Sequence, residues 1–429
     1  MKILFVHPYP LTTKFASELY SKIFVNTSKP ILFPILAALT PKEHSIEIIG
    51  TDDGSLPYDE RYDIVGISCM TPEAINAYKI ADEFRKNGNY VVLGGWHPSA
   101  LPEEAKQHAD TVVIGEAEEI WPKLLNDVQN KKTKPFYYQE RPVDLKLIPP
   151  LRRDIYPKDT NLDINATRGC LNKCKFCSIV SQPLRRIYRM RPIENVISDI
   201  KLNPRRYFCF YDNSLTLNLN YSKQLFKEME GLNKKFLAYG NINVLGSNEE
   251  LLKLANEAGC TGWLIGFESI SQETLRSIGK KANVVDEYIK SIKKIHDYNM
   301  IVIGSFVFGF DNDTKDIFNK TNDFISKSDI DFPYPNILTP YPGTYMYDLF
   351  DKQGRILTKD WSKYDLKHVV FQPKNMAAEE LHNNVLESSK NWYNLSNIFN
   401  RFVCNTKISI NQTFRTISWN IQMRRRKLV

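Results

Sequence analysis

Short, unbroken runs of Val, Ile and Leu recur along the chain, separated by longer amphipathic stretches. In the first 130 residues the runs are KILFVH (2–7), IEIIG (46–50), DIVGIS (63–68), YVVLG (90–94) and TVVIG (111–115). Apolar runs of this length, without polar alternation, mark strands covered on both faces, which are parallel strands. The stretch PEAINAYKIADEFRKNG (72–88) between two of them has helical spacing and ends on a C-cap-like glycine. The alternation predicts an α/β, doubly wound, Rossmann-like domain of five strands. Such sheets bind ligands at the carboxyl ends of their strands. There the sequence offers Ser68, Met70 and Thr71 in GISCMT, Gly94 and Gly95 before Trp96-His97-Pro98, and Gly115-Glu116.

A proline- and charge-rich segment, KKTKPFYYQERPVDLKLIPPLRRDIYP (131–157), interrupts the pattern and reads as a surface linker. A second alternation follows: LDINAT (162–167), RYFCFY (206–211), KFLAYGN (235–241), GWLIGFE (262–268), IVIGSFVFG (301–309) and FPYPNILTP (332–340), with helical segments between. Six βα units are too few for a closed eight-fold barrel and fit an open, partial (β/α)6 barrel. The expected organisation is residues 1–135, a linker over 136–155, a barrel over 156–376 and a small helical extension over 377–429. A chain of 429 residues with 42% apolar content can fill such cores without staples.

The seven cysteines are an odd number, and four of them are scattered, so no disulfide framework is expected. Met1 leads directly into a strand. The longest uncharged apolar run, Ile31 to Leu39, contains Pro34 and is too short to span a bilayer. A cytoplasmic protein is expected. The net charge of +8 is spread along the chain apart from RRRK at 424–427, and no nucleic-acid partner is expected.

The other three cysteines, Cys170, Cys174 and Cys177, fall within eight residues in the stretch TRGCLNKCKFC, just past the first strand of the second series. That is where barrels of this type place their active sites. Zinc would want a fourth protein ligand, and the next histidine is His296. An iron–sulfur cluster also takes four ligands as a rule. Three cysteines on a four-iron cluster would leave one iron open to a ligand that is not protein. Three buried structural cysteines are the plainer alternative.

Gly169-Cys170-x3-Cys174-Lys175-Phe176-Cys177 resembles the signature of the radical S-adenosylmethionine (SAM) enzymes, over roughly residues 155–376. Tyr211-Asp212-Asn213 resembles the segment contacting the methionine amino group, and GFES (Gly266 to Ser269) the motif whose acid reaches the SAM ribose. The resemblance implies a [4Fe-4S] cluster on the three cysteines. It also implies SAM contacts from Phe176, Asp212, Asn213, Glu268 and Ser269, and reductive cleavage of SAM to a 5′-deoxyadenosyl radical. An electron donor such as flavodoxin or ferredoxin is implied as well. Asp212-Asn213 also suits a plain turn, and Glu268 a helix-capping role.

In the first domain G-x-G-x-x-G is absent after the first strand, as are the paired acids of a receiver domain and the cysteine cluster of a methylthiotransferase. YDIVGISCMT, VVLGGWHPSALPEE and ADTVVIGEAEE resemble the cobalamin-binding domain found ahead of the radical core in B12-dependent radical SAM enzymes. The resemblance implies cobalamin contacts from Ser68, Met70, Thr71, Gly94, Gly95, His97, Gly115 and Glu116. The D-x-H-x-x-G motif that ligates cobalt is missing, so no histidine is expected on the metal. The expected activity is transfer of a methyl group from methylcobalamin to an unactivated carbon. A cyclase or rearrangement enzyme and a non-catalytic sensor are the alternatives. The substrate, whether lipid, peptide, tetrapyrrole or natural product, and the residue that orients it are not legible. The aromatic, basic end FRTISWNIQMRRRKLV suits packing against the barrel or, less well, contact with a membrane surface.

Overall fold

The computed structural model describes residues 1–9, 31–51, 56–158, 160–404 and 410–425. Parts of the segment after the first strand and of the basic tip lie outside the described residues. Six parallel strands form the first sheet: β1 (Lys2–His7), β2 (Ser45–Gly50), β3 (Ile64–Ser68), β4 (Val91–Gly94), β5 (Thr111–Ile114) and β6 (Phe136–Tyr138). Their order is β2-β1-β3-β4-β5-β6. The order reverses between β1 and β3, and the crevice at that switch point opens above His7 and Ser68. The expected count was five. The sixth strand comes from the segment read as linker, where Phe136, Tyr137 and Tyr138 pair with Val112, Val113 and Ile114. Pro135 sits just before this edge strand, where its missing N–H costs nothing.

The second sheet, also parallel, has the order β13-β12-β11-β10-β9. Its strands are β9 (Tyr207–Phe210), β10 (Lys235–Gly240), β11 (Cys260–Glu268), β12 (Ile301–Phe308) and β13 (Phe332–Ile337). Six strands were expected, but LDINAT contributes only a single parallel bridge, Ile164 to Phe210. The reason is a competing partner from beyond the segment. Ala166 N and Thr167 N donate to the Asp212 carboxylate instead of to a neighbouring strand. The chain then turns away into a two-residue hairpin, β7 (Thr167–Arg168) with β8 (Arg189–Met190). Phe208, Phe210, Phe226, Phe236 and Trp263 fill the core beneath this sheet, each no more than 1% exposed.

Two contacts outside the sheets fix the assembly. Tyr347, Trp361 and Tyr364 of the second domain are buried in the core of the first, against Tyr78, Phe84 and Ala105. There Trp361 Nε1 donates to Glu104 at 2.9 Å. At the other end, helices Ala378–Trp392 and Ile410–Arg425 cover the β13 edge. Trp419 packs on Phe332 with ring centroids 4.0 Å apart, and Asn420 Nδ2 donates to the Asp331 carbonyl at 3.1 Å. Among the described residues, no helix is long and apolar enough to cross a membrane.

The loops after β3 and β4 pass within contact distance of each other. Gly95 has φ +104, and a Cβ there would lie 2.6 Å from the Cys69 carbonyl oxygen. At Gly94 a Cβ would meet only Val113, at 3.7 Å. Gly95→Ala is therefore expected to cost about 2 kcal/mol, whereas Gly94→Ala should stay within about 1 kcal/mol of the parent. Urea denaturation of both variants decides this, and equal losses would show that the close approach after β3 is not what Gly95 serves.

Candidate active site between the two sheets

A cavity of about 570 Å³ lies at the carboxyl ends of the first sheet and of β9 in the second. The first domain lines it with His7, Ser68, Met70, Gly94, Gly95, Gly115, Glu116 and Glu118. The second adds Asp163, Asn165, Arg168, Gly169, Arg185, Tyr211 and Asn213. Six of the eight residues singled out for cobalamin therefore share one wall. Thr71 and His97 do not line the cavity. The helix Trp96–Ala100 starts directly after Gly95 and carries His97 into the domain interior, where it is fully buried. Its Nδ1 lies 3.3 Å from Thr71 Oγ1, its Nε2 3.2 Å from Glu104, and its ring meets Trp361 edge-on. Both residues hold the fold, and the histidine that faces the cavity is His7, packed on Phe33 with ring centroids 4.2 Å apart.

Glu116 lines the cavity, but its carboxylate is already engaged. Arg189 Nη1 reaches it at 2.6 Å, Arg168 Nη1 at 3.2 Å and Gln139 Nε2 at 3.0 Å. Arg168 also pairs with Glu118 at 2.7 Å. Burial pushes the Glu116 carboxyl up, but Arg189 and Arg168 outweigh it and hold the group below the usual carboxylate range. Arg185 completes the cluster. It donates to the Gly115 carbonyl at 2.6 Å and lies over the Trp96 ring at 4.2 Å, and burial lowers its pKa to about 10. Glu118, Arg168, Arg185 and Arg189 were not among the residues singled out from sequence. The available signals were the Glu-x-Glu spacing after β5 and the arginines flanking the cysteine trio.

The cysteine loop leaves β7 through Gly169, at φ +87, where a Cβ would strike the Ile187 carbonyl oxygen at 2.2 Å. Three backbone bonds then hold it: Cys170 N to Arg186 O at 3.0 Å, Lys175 N to Ile278 O at 2.9 Å and Met346 N to Lys175 O at 3.2 Å. Cys174 is buried, and Cys170 and Cys177 are half-buried. Phe176 leaves the loop to pack near Phe310, with ring centroids 5.8 Å apart. Burial, against the pull of Lys280 and with smaller contributions from Cys177, Glu268 and Cys170, pushes the Cys174 thiol up to about 12. Such thiols ionise when a metal centre takes their protons' place. Among the described residues, no three His, Cys, Asp or Glu side chains gather closely enough to hold one metal ion. Each thiolate of a cubane cluster binds a different iron, so its ligands surround a cage without converging on a point. The donor set fits that group: three thiols on one loop, with no fourth ligand in it.

The residues singled out for SAM divide in the same way. Asp212 is 2% exposed and is spent on Ala166 N at 3.1 Å, on Thr167 N and on Thr167 Oγ1 at 2.6 Å. Burial still pushes its carboxyl up to about 6. It anchors the start of the cysteine loop. Asn213 lines the cavity and donates to the Gly169 carbonyl at 3.2 Å. Glu268, at φ 63, pairs through Oε1 with Lys280 Nζ at 2.7 Å. The buried Ser269 accepts from Ser271 N at 3.1 Å. Burial alone would lower the Lys280 pKa, but Glu268 and then Cys174 raise it above its usual value.

Residues 164–325 match the radical SAM superfamily, and residues 55–125 match the B12 binding domain. The chain is 34% identical over 402 residues to a bacteriochlorophyllide d C-8(2)-methyltransferase of Chlorobaculum tepidum, covering 88% of each protein. It is 31% identical over 389 residues to the C-12(1)-methyltransferase of the same organism, covering 87% of this chain and 84% of the relative. Its fold matches the radical SAM methyltransferase TsrM of Kitasatospora setae, solved with cobalamin and a [4Fe-4S] cluster bound. That match has a TM-score of 0.71 at 14% identity and covers 99% of both chains. The trio, the cavity lined by both domains and these relatives converge: the chain belongs to the B12-binding radical SAM enzymes, whose cofactors are a [4Fe-4S] cluster, SAM and cobalamin.

Proposed function

We propose that this enzyme is a methyltransferase that adds a methyl group to an unactivated carbon of its substrate. The observation that carries the reading is the shared cavity. One wall belongs to the B12 binding domain and the other holds Gly169, at the root of the cysteine loop. The activities named for the two Chlorobaculum relatives support the same reading. When bound, the cluster would supply an electron for cleaving SAM and the cobalamin a methyl group for the substrate carbon. Cys170, Cys174 and Cys177 would hold the cluster, and Ser68, Met70, Gly94, Gly95 and Gly115 would line the cobalamin site. Asn213, Glu268 and Ser269 would meet SAM, with Phe176 packed behind the loop. Asp212 would serve indirectly by fixing Thr167. An acidic one-electron carrier such as flavodoxin or ferredoxin would serve as reductant.

The residues of the chain have a definite task in this reading. Tyr347, Trp361 and Tyr364 pack into the first domain, and Arg168 ties the cysteine loop to Glu116 and Glu118, so the two walls cannot drift apart. A reactive carbon radical formed there would be held beside its methyl source.

Anaerobically reconstituted protein should hold about four iron and four sulfide, and replacing all three loop cysteines with alanine should abolish both. Zinc in place of iron would rule the cluster out. The cob(II)alamin form should show no nitrogen superhyperfine splitting in electron paramagnetic resonance, because His97 is enclosed by Thr71, Glu104 and Trp361. Splitting that vanishes in His7→Ala would identify His7 as a ligand instead. Turnover with methyl-labelled SAM should release S-adenosylhomocysteine and 5′-deoxyadenosine together and place label in the product. Conversion without S-adenosylhomocysteine or label would replace methylation with cyclisation, the reaction of a 25% identical relative, the anaerobic magnesium-protoporphyrin IX monomethyl ester cyclase of Cereibacter sphaeroides.

A further inference from the structure

Lys280 belongs to no motif in the sequence, yet it sits where two site elements meet. It follows Gly279, at φ +80, in the turn that closes helix Gln272–Ser277. A Cβ on Gly279 would lie 2.6 Å from the Lys173 carbonyl oxygen and 3.8 Å from Cys174 Cα, so this turn lies flat on the cysteine loop. The loop answers with Lys175 N donating to the Ile278 carbonyl at 2.9 Å.

The Lys280 side chain is only 14% exposed, and its Nζ is 2.7 Å from Glu268 Oε1. Their space is created by Gly266. A Cβ there would stand 2.3 Å from Glu268 Oε1 and 3.1 Å from Lys280 Nζ. The glycine of the GFES stretch is thus required by the ion pair at the end of β11. Glu268, in a left-handed backbone conformation, has no other side-chain hydrogen-bond partner among the described residues. Lys280 is the group that aims it.

We infer that Lys280 is a positioning residue that fixes the Glu268 carboxylate for SAM and keeps a permanent positive charge against the cysteine loop. The inference rests on reading Glu268 as a SAM contact and the cysteine trio as the cluster site. A fixed cation beside a thiolate-bound cluster favours its more negative, reduced state and so raises its reduction potential. Neither effect needs Lys280 to change protonation or to touch the substrate.

The test uses reconstituted holoprotein carrying Lys280→Met, Lys280→Gln or Lys280→Arg. SAM affinity is measured by equilibrium binding without turnover, and cluster potential by a redox titration without SAM. Lys280→Met and Lys280→Gln should weaken SAM binding by about tenfold or more, the scale of a lost buried charged hydrogen bond, and should lower the cluster potential. Lys280→Arg should restore most of both. Glu268→Gln combined with Lys280→Met should bind SAM no more weakly than Glu268→Gln alone, since the lysine acts through the glutamate. Unchanged affinity and potential in the neutral variants, additive losses in the double variant, or an arginine variant as impaired as methionine would each overturn the inference. A parent protein that binds no SAM at all would instead defeat the reading of Glu268, and the potential measurement would still decide the role of the charge.

Discussion

Arg168 is the last residue before the glycine that opens the cysteine loop, and its guanidinium is held between two carboxylates of the other domain. Glu116 lies at 3.2 Å and Glu118 at 2.7 Å, with Arg189 bound to Glu116 from the facing strand of the hairpin. All four side chains are at least four-fifths buried. Removing one partner from such a group leaves a buried charge uncompensated, at a cost of about 3–5 kcal/mol. The geometry of both walls depends on this contact. Through Arg168 it sets where Gly169 and Cys170 begin, and through Glu116 it sets where the loop after β5 ends.

Much of the architecture follows from the sequence because strand runs and helical spacing are local properties. The first five strands of the first sheet and the five of the second lie where the apolar runs place them, to within three residues at either end. The departures come from non-local competition. LDINAT has a strand's composition, but Asp212, more than forty residues away, captures the amides of Ala166 and Thr167. Phe136 to Tyr138 looked like linker because charges and a proline surround it, yet the free edge of β5 had room for one more short strand.

The same distinction runs through the site. Cys170, Cys174 and Cys177 are legible because their spacing is itself the chemistry. Gly95 is legible as a special position, though the backbone it must accommodate is that of Cys69, within the fold. His97, Thr71, Asp212 and Glu116 carry suitable functional groups, but each is spent on a partner that no spacing rule reveals. Lys280 is the converse. Twelve residues separate it from Glu268, and only the turn at Gly279 brings the two together.

Both sheets are wholly parallel, and the cavity lies at the carboxyl ends of the first sheet and of β9 in the second. Every turn feeding a strand from its amino end therefore lies on the far side of its domain. Asn87 and Gly88 before β4, Gly231 to Lys234 before β10 and Tyr298 and Asn299 before β12 lie in turns of this kind, built on the left-handed residues Gly88, Gly231, Asn233 and Asn299. Polar surface turns are where chains accept inserted sequence most readily. The molecule thus has a permissive pole and an intolerant one. Affinity tags, fluorophores and tethers to a surface belong at the permissive pole, where added bulk leaves the cofactor-bearing edges undisturbed.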